Sequence, residues 1–190
     1  MKVILIRHGQ TAGNAEKRYI GVTDQPLTAS GVEQIEKNKY PAADLVFASP
    51  LKRCLQTAAI IYPQQKPTVV RDLREMDFGD FENKNHIELS GNADYQRWID
   101  NGGKTAFPGG EHPADFCHRC TTAFLKTMES IKNENCQTVA FAVHGGTIMA
   151  IMSSLLNDTE NYFSYRVDNG DGYTFDYADG QISNQRKLFE

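Results

Sequence analysis

Short apolar runs recur along the chain, and each one ends in polar residues or glycine. Such runs, flanked by turn residues, are typical of strands buried in a parallel sheet. The pattern predicts strands at Lys2–Ile6, Leu45–Ala48, Thr68–Val70 and Thr138–Val143. Near the end, alternating polarity predicts a strand over Tyr173–Tyr177, and the tight-turn pair Asp179-Gly180 predicts an antiparallel return over Gln181–Leu188.

Segments with helical periodicity lie between these strands. They are Ala29–Asn38, a segment from Ser49 to about Ile61, Phe116–Ile131 and Gly146–Leu156. Ser49-Pro50 is typical of a helix start, with Ser49 as N-cap and Pro50 as the first helical residue. The longest helix has an apolar stripe formed by Phe116, Cys120, Phe124, Met128 and Ile131. Because strands alternate with helices, we expect a three-layer α/β/α sandwich with a mostly parallel sheet.

The stretch from Gly79 to Phe116 departs from this alternation. It is polar, rich in glycine at Gly102-Gly103 and Gly109-Gly110, and has one short helical pattern around Tyr95–Ile99. We therefore predict a single domain over residues 1–190, in which residues 79–116 form a short cap-like excursion over the sheet.

The composition narrows the classes of partner and site. A net charge of −4 and a pI near 5.7 argue against a nucleic-acid or anionic-membrane surface. No apolar run is long enough for a signal-peptide core or a membrane span, so we expect a cytoplasmic protein of unspecified oligomeric state. The cysteines do not resemble a disulfide framework. Cys117 and Cys120 are spaced as C-x-x-C, but we expect ordinary helix residues rather than a metal or redox site.

Reactive polar residues follow three of the predicted strands. They are Arg7-His8-Gly9, Ser49-Pro50-Leu51-Lys52-Arg53 and His144-Gly145-Gly146. Ligands bind beyond the carboxyl ends of strands in open parallel sheets, so we expect these segments to share one crevice. Guanidinium groups, imidazoles and the backbone N–H groups of glycine turns then converge, which suits a phosphate. Taken singly, each segment is equally compatible with an ordinary turn or helix start.

Six sequence blocks follow one another across nearly the whole chain. They are Leu5-Ile6-Arg7-His8-Gly9-Gln10-Thr11 with Asn14, Asp24-Gln25-Pro26-Leu27-Thr28, Ser49-Pro50-Leu51-Lys52-Arg53, Leu73-Arg74-Glu75-Met76-Asp77-Phe78-Gly79, Pro108-Gly109-Gly110-Glu111 and Val143-His144-Gly145-Gly146. In this order they resemble the histidine phosphatase superfamily, which includes the phosphoglycerate mutases, and in particular its small members of the alpha-ribazole phosphatase type. The resemblance implies a phosphoglycerate mutase-like fold, a small phosphorylated substrate, no metal and no cofactor.

The resemblance also implies roles for the matching residues. His8 matches the nucleophile that becomes phosphorylated, and Glu75 matches the carboxylate that donates a proton. Arg7, Arg53 and His144 match the phosphate-binding partners of the nucleophile. The implied substrate-binding set is Arg7, Asn14, Thr23, Arg53, His144 and Gly145, in which Thr23 lies where only some members have a substrate contact.

The chemistry of these side chains agrees with the implied roles. A neutral imidazole held in one tautomer is a competent nucleophile toward phosphorus. Arg7, Arg53 and a protonated His144 can stabilise the charge on the equatorial oxygens of the transition state. Glu75 can protonate the leaving oxygen if its pKa is raised, and it can then act as a base toward water. Without the resemblance, Glu75 would be interpreted as a solvated acid after a strand.

Several positions depart from the family pattern near the leaving group. The stretch Asp80–Asn83 lacks a Trp and a Gly that many members have there, His112 replaces the usual Ser after Glu111, and Met149 stands where small phosphatases often have Arg. These departures leave the identity of the substrate open. Trp98 and Tyr95 are candidates for the rim of the site, although packing is the more common use of such residues.

Hydrolysis of a small phosphate ester is the leading hypothesis for the function. A phosphoglycerate mutase is the alternative within the family, but the excursion has few cations against many acids, which disfavours a site for a second phosphate. The cations are Lys84, Arg97 and Lys104, and the acids are Asp80, Glu82, Glu88, Asp94, Asp100, Glu111 and Asp115. A non-catalytic phosphate-binding module is disfavoured because His8, Glu75 and His144 are all present. A metal bound by the two histidines is disfavoured by the adjacent arginines.

Overall fold

Six strands form one mixed sheet in the computed structural model, which describes residues 1–189. The strands are β1 (Lys2–Arg7), β2 (Leu45–Ala48), β3 (Thr68–Val69), β4 (Thr138–Val143), β5 (Gly172–Ala178) and β6 (Gln181–Lys187). Their spatial order is β3-β2-β4-β1-β5-β6. The first four in that order are parallel to one another, and β5 and β6 form an antiparallel edge. The predicted mostly parallel sheet and its antiparallel return are confirmed.

Helices cover both faces of this sheet. They are α1 (Ala12–Ala15), α2 (Ala29–Lys37), α3 (Lys52–Ile61), α4 (Ala93–Asp100), α5 (Pro113–Ser130) and α6 (Gly145–Leu155), with 3₁₀ turns at Arg71–Leu73, Gly79–Phe81 and Thr159–Tyr165. Alternate strand residues face opposite sides because side chains alternate along a strand. Leu5 and Phe141 pack with Phe124 of α5, whereas Ile6 packs in a separate cluster with Ala58 of α3. The predicted three-layer sandwich is therefore confirmed.

Helices α3 and α5 begin at residues other than the predicted ones, and α6 begins one residue early, at Gly145. Helix α3 begins at Lys52 with Leu51 as its N-cap, so the assignment of Ser49 as N-cap and Pro50 as first helical residue is wrong. Ser49 is fully buried, and its hydroxyl lies 2.6 Å from His144 Nε2 instead. Helix α5 begins at Pro113, earlier than predicted, because the His112 imidazole accepts a hydrogen bond from the amide of Ala114 and caps the helix.

The excursion packs onto α5 through an apolar cluster of its own. The cluster combines excursion residues with the predicted stripe of α5 and includes Phe81, Leu89, Tyr95, Phe107, Phe116 and Cys120. All five residues of the predicted stripe, Phe116, Cys120, Phe124, Met128 and Ile131, are buried. Within residues 1–189, no helix has the length and apolarity needed to cross a membrane.

Candidate active site

Three strand ends bring the predicted reactive residues together at the carboxyl edge of the sheet. His8 follows β1, Arg53 lies in the first turn of α3 after β2, and His144 follows β4. The ring centroids of His8 and His144 are 5.2 Å apart, and Arg53 Nε lies 3.2 Å from His144 Nδ1. His144 and Arg53 are fully buried, and His8 is nearly so. The predicted strand ends therefore converge, and His8, Arg53 and His144 form a buried cluster that does not line the cavity beside it.

His8 is held in one tautomer. Its Nδ1 lies 2.7 Å from the carbonyl oxygen of Gly9, to which a protonated Nδ1 donates. Burial, followed by the charges of Arg53 and Arg7, holds the pKa of His8 well below its usual value of 6.5. A neutral ring that donates through Nδ1 has its lone pair on Nε2. His8 thus has the electronic state that a nucleophile requires.

The guanidinium of Arg53 binds its own protein scaffold. Nη1 donates to the carbonyl oxygen of Thr23 at 2.8 Å, and Nη2 donates to that of Gly21 at 2.8 Å. Glu82 in turn accepts hydrogen bonds from the amides of Gly21 and Thr23. Thr23 therefore contacts the site through its backbone carbonyl, which binds Arg53.

His144 is neutral in this arrangement. Arg53 Nε donates to its Nδ1, so Nε2 has the ring proton and donates to Ser49 Oγ at 2.6 Å. Burial and then the charge of Arg53 hold the pKa of His144 well below its usual value. The structure does not support the expected protonated His144, because the neighbouring guanidinium disfavours a second positive charge there.

Arg7 lies beside the N-terminus of α6. Its Nη1 donates to the carbonyl oxygen of Val167 at 2.7 Å, while its Nε is buried without a hydrogen-bond partner among the described residues. A Cβ added to Gly145 would lie 3.3 Å from this Nε. A buried donor without a partner costs about 1–3 kcal/mol, and an anion at a helix N-terminus is a suitable acceptor.

Glu75 lies beside the N-terminus of α6 and lines the same cavity as Arg7. Its Oε2 accepts from the amide of Gly146 at 3.1 Å, and its Oε1 accepts from that of Met76 at 3.0 Å. Burial raises the pKa of Glu75, although the two amides and the charges of Arg53 and Arg7 oppose this change. Glu75 is thus buried and not a solvated acid, and its raised pKa favours the protonated form that a proton donor needs.

A cavity of about 880 Å³ opens outward from Arg7, Glu75 and Gly145. Its walls are rich in aromatic rings, contributed by Tyr19, Phe78, Trp98, Phe107, Tyr162 and Phe163. Trp98 lines the cavity as well as packing, whereas Tyr95 is buried in the apolar cluster of the excursion. Met149 and His112, two of the departures from the family pattern, also line the cavity.

The charges around the cavity differ from the sequence-based count. Within residues 1–189, none of the seven acids counted in the excursion lines the cavity; its charged lining residues are Arg7, Lys104, Arg166, Glu75 and Glu160. Glu82 and Glu111 are instead used within the fold, where they bind loop amides and Arg119. The acids of the excursion therefore do not disfavour a second phosphate as predicted, because their side chains do not line the cavity.

Two residues that support the site were not found from the sequence. Thr57 of α3 accepts a hydrogen bond from the amide of Gly9, the residue whose carbonyl binds His8. Asn169 donates to the carbonyl oxygen of His8 and to Asn14 Oδ1, while Asn14 also caps the amide of Thr11. Both residues act through hydrogen bonds to the site. The sequence does not indicate these roles, because a threonine in a helix and an asparagine in a turn are common.

Cys117 and Cys120 form no paired or metal-binding site in the described part of the chain. Cys120 is buried in the apolar cluster, Cys117 lines the cavity, and neither forms a disulfide. Across residues 1–189, no group of three or more His, Cys, Asp and Glu residues is arranged to hold a metal ion.

Comparison with known proteins gives a consistent result. The family model of the histidine phosphatase superfamily (branch 1) matches residues 3–187. An adenosylcobalamin/alpha-ribazole phosphatase of Escherichia coli (strain K12) is 29% identical over 180 residues, 90% of this chain and 87% of that protein. Phosphoserine phosphatase 1 of Hydrogenobacter thermophilus (strain DSM 6534 / IAM 12695 / TK-6) is 29% identical over 178 residues, 89% of this chain and 83% of that protein.

Structural comparison agrees. The crystal structure of the alpha-ribazole phosphatase from Shigella flexneri has a TM-score of 0.85 at 28% identity and covers 96% of this chain and 94% of its own. The expected fold is confirmed, and these relatives support an enzyme of the phosphatase or mutase kind. The chain belongs to the histidine phosphatase superfamily.

Proposed function

We propose that the protein is a phosphomonoesterase that hydrolyses its substrate through a phosphohistidine on His8, without a metal ion. The observation that carries this proposal is the state of His8, a buried neutral imidazole with its Nδ1 bound to the carbonyl of Gly9. Arg7, Arg53 and the N-terminus of α6 surround it with positive charge and dipole. Glu75, with its raised pKa, lies at the cavity side of this arrangement.

In the first step, the phosphoryl group of the ester binds beside Arg7 and the Gly145 end of α6. His8 Nε2 attacks phosphorus as the bond to the ester oxygen breaks. Protonated Glu75 gives its proton to the leaving oxygen, so the product departs as a neutral alcohol. The guanidinium of Arg7 stabilises the negative charge on the equatorial oxygens.

In the second step, a water molecule occupies the place of the alcohol. Glu75, now ionised, takes a proton from this water as its oxygen attacks phosphorus, and the bond from phosphorus to His8 Nε2 breaks. Inorganic phosphate leaves, His8 is again neutral and Glu75 is again protonated. Each residue has therefore returned to its starting state.

The cavity favours an ester with a large leaving group. Its volume of about 880 Å³ lies within the range of pockets for drug-sized ligands, which is about 300–1,000 Å³. Aromatic walls suit planar or apolar groups. Among the substrates in the relatives' names, alpha-ribazole phosphate fits this cavity better than phosphoserine, and we propose an ester of that size.

Phosphoglycerate mutase activity is the second candidate. Lys104 and Arg166 line the cavity, and such cations can bind the second phosphate of a bisphosphorylated intermediate. Interconversion of phosphoglycerates faster than hydrolysis of the best ester in a panel would establish the mutase as the main activity.

Phosphoenzyme trapping tests the leading proposal. The wild type is mixed with an aryl phosphate labelled in its phosphoryl group, and the reaction is stopped rapidly without acid. One acid-labile phosphoryl group per chain should then be found on the protein. His8→Ala should carry none while keeping its fold. Turnover should continue in the presence of a chelator. A strictly metal-dependent enzyme, or normal turnover by His8→Ala, would refute the mechanism.

A further inference from the structure

Arg119 projects from α5 toward the loop that carries Glu75, but it does not line the cavity. It lies within the C-x-x-C segment that the sequence marks as a candidate metal or redox site. Among residues 1–189, the two cysteines form neither a disulfide nor part of a metal-binding cluster, whereas the arginine between them forms several hydrogen bonds.

The guanidinium of Arg119 binds Glu111 and the backbone of the Glu75 loop at the same time. Nε and Nη2 form two parallel bonds to the carboxylate of Glu111, at 2.9 and 2.8 Å. Nη1 donates to the carbonyl oxygens of Asp72 and Arg74, at 2.7 and 3.1 Å, and Nη2 reaches that of Glu75 at 3.4 Å. The planar fork of arginine suits such simultaneous contacts, which a lysine ammonium cannot reproduce.

Glu111 binds the backbone on the other side of Glu75. Its amide donates to the carbonyl oxygen of Asp77 at 2.9 Å, and its carboxylate accepts from the amide of Asp77 at 3.4 Å. The side chains of Arg119 and Glu111 are only 13% and 16% exposed, so water competes little for these bonds. The backbone on both sides of Glu75 is therefore fixed to one shielded ion pair.

We infer that Arg119, oriented by Glu111, is a positioning residue that holds the carboxyl group of Glu75 within reach of the leaving oxygen. This inference rests on the proposed function, in which Glu75 is the proton donor. Loss of the fork should leave the phosphate-binding residues in place and should displace Glu75. The first step should then become slow for substrates that need a proton and should change little for those that do not.

The test compares Arg119→Met, Arg119→Lys and Glu111→Gln with the wild type and with Glu75→Gln. Single-turnover phosphorylation rates are measured for an alkyl phosphate and for a series of aryl phosphates with increasingly acidic phenols. We expect Arg119→Met to lose about 10- to 100-fold with the alkyl phosphate, the scale of a misplacement near 1 Å, and less than about 3-fold with the most acidic phenol. Arg119→Lys should recover only part of the loss.

Vanadate inhibition and thermal unfolding separate positioning from a general loss of structure. Vanadate affinity should stay within about 3-fold of the wild type, because Arg119 does not contact the phosphate site. Arg97→Met, which removes an exposed ion pair with Asp94 on α4, serves as the control and should keep the wild-type rates. If Arg119→Met fails to fold, Arg119→Lys and Glu111→Gln decide the outcome.

A loss of equal size across the leaving-group series, or no loss at all, would overturn the positioning role. Failure of the proposed function would look different, because the wild type itself would then form no phosphohistidine on His8. The two ideas can thus fail separately in the same set of measurements.

Discussion

Replacement of Gly146 by alanine should damage catalysis far more than it changes stability. Gly146 lies in the first turn of α6, and its amide donates to Glu75 Oε2 at 3.1 Å. An alanine Cβ at this position would lie 2.3 Å from Glu75 Oε1 and 3.2 Å from Cζ of Phe116. The methyl group and the carboxyl group cannot both keep their places.

The geometry sets the size of the expected effect. Because Cβ atoms essentially never approach a neighbour closer than 3.0 Å, the carboxyl oxygen must retreat by about 0.7 Å or more. A displacement near 1 Å costs roughly 100-fold in rate when the group must meet a reacting atom. Stability should change little, because the helix preference for alanine over glycine, up to about 1 kcal/mol, offsets part of the cost of crowding Glu75 and Phe116, about 1–3 kcal/mol. Strongly reduced activity with a small change in melting temperature is the expected combination.

The assay measures phosphorylation rates for an alkyl phosphate, together with thermal unfolding. Glu75→Gln with and without Gly146→Ala is the matched control. If the methyl group acts only by displacing the Glu75 carboxyl, it should add little to the loss once Glu75 cannot donate a proton. Near-normal rates for Gly146→Ala with the alkyl phosphate would show that Glu75 is not the proton donor in the position described.

Three further predictions concern pH and the support of His8. A plot of kcat/KM against pH should be bell-shaped with an acidic optimum. The lowered pKa of His8 sets its acid limb and the raised pKa of Glu75 its alkaline limb, so Glu75→Gln should remove the alkaline limb. The free energy of unfolding should fall as pH drops from 6.5 to about 5, because the two histidines bind protons there in the unfolded chain but stay neutral when buried in the fold. In urea titrations, His144→Asn should make this dependence on pH weaker. An unchanged dependence would argue against a buried neutral ring at His144. Thr57→Val should cost about 1–3 kcal/mol in denaturant unfolding, by leaving the buried amide of Gly9 unpaired, and should slow phosphorylation, whereas Thr57→Ser should restore both.

The sheet and the convergence of its reactive ends could be predicted because they depend on a simple pattern. Apolar runs ending in Arg7-His8 and His144-Gly145 locate parallel strand ends, and parallel strands share one edge. The tautomer of His8 was also predictable in kind, since a nucleophilic imidazole needs a fixed partner for its second nitrogen. The partner itself, the carbonyl of the next residue, depends on the turn geometry after β1.

The predictions that were wrong concern residues whose local structure or protonation state is determined by a residue far away in the sequence. Ser49 followed by Pro50 has the form of a helix cap, but the Ser49 hydroxyl binds the buried imidazole of His144, which follows β4 and lies 95 positions away in the chain. The state of His144 depends on the Arg53 guanidinium, whose other donors are occupied by a loop between β1 and β2. Charge counting in the excursion failed for a related reason, because a count does not contain the direction of a side chain.

The floor and the walls of the cavity come from different parts of the chain. The floor includes Arg7 at the end of β1 and Gly145 and Gly146 in the first turn of α6, which are fixed by the sheet. Much of the wall comes from the excursion, through Trp98 and Phe107, and from the 3₁₀ turn at Thr159–Tyr165. Substitutions in these wall segments can therefore exchange one alcohol for another while the phosphoryl chemistry stays the same. Such a separation allows a lineage to acquire new substrates by changing loops, and it offers the same route to an engineer.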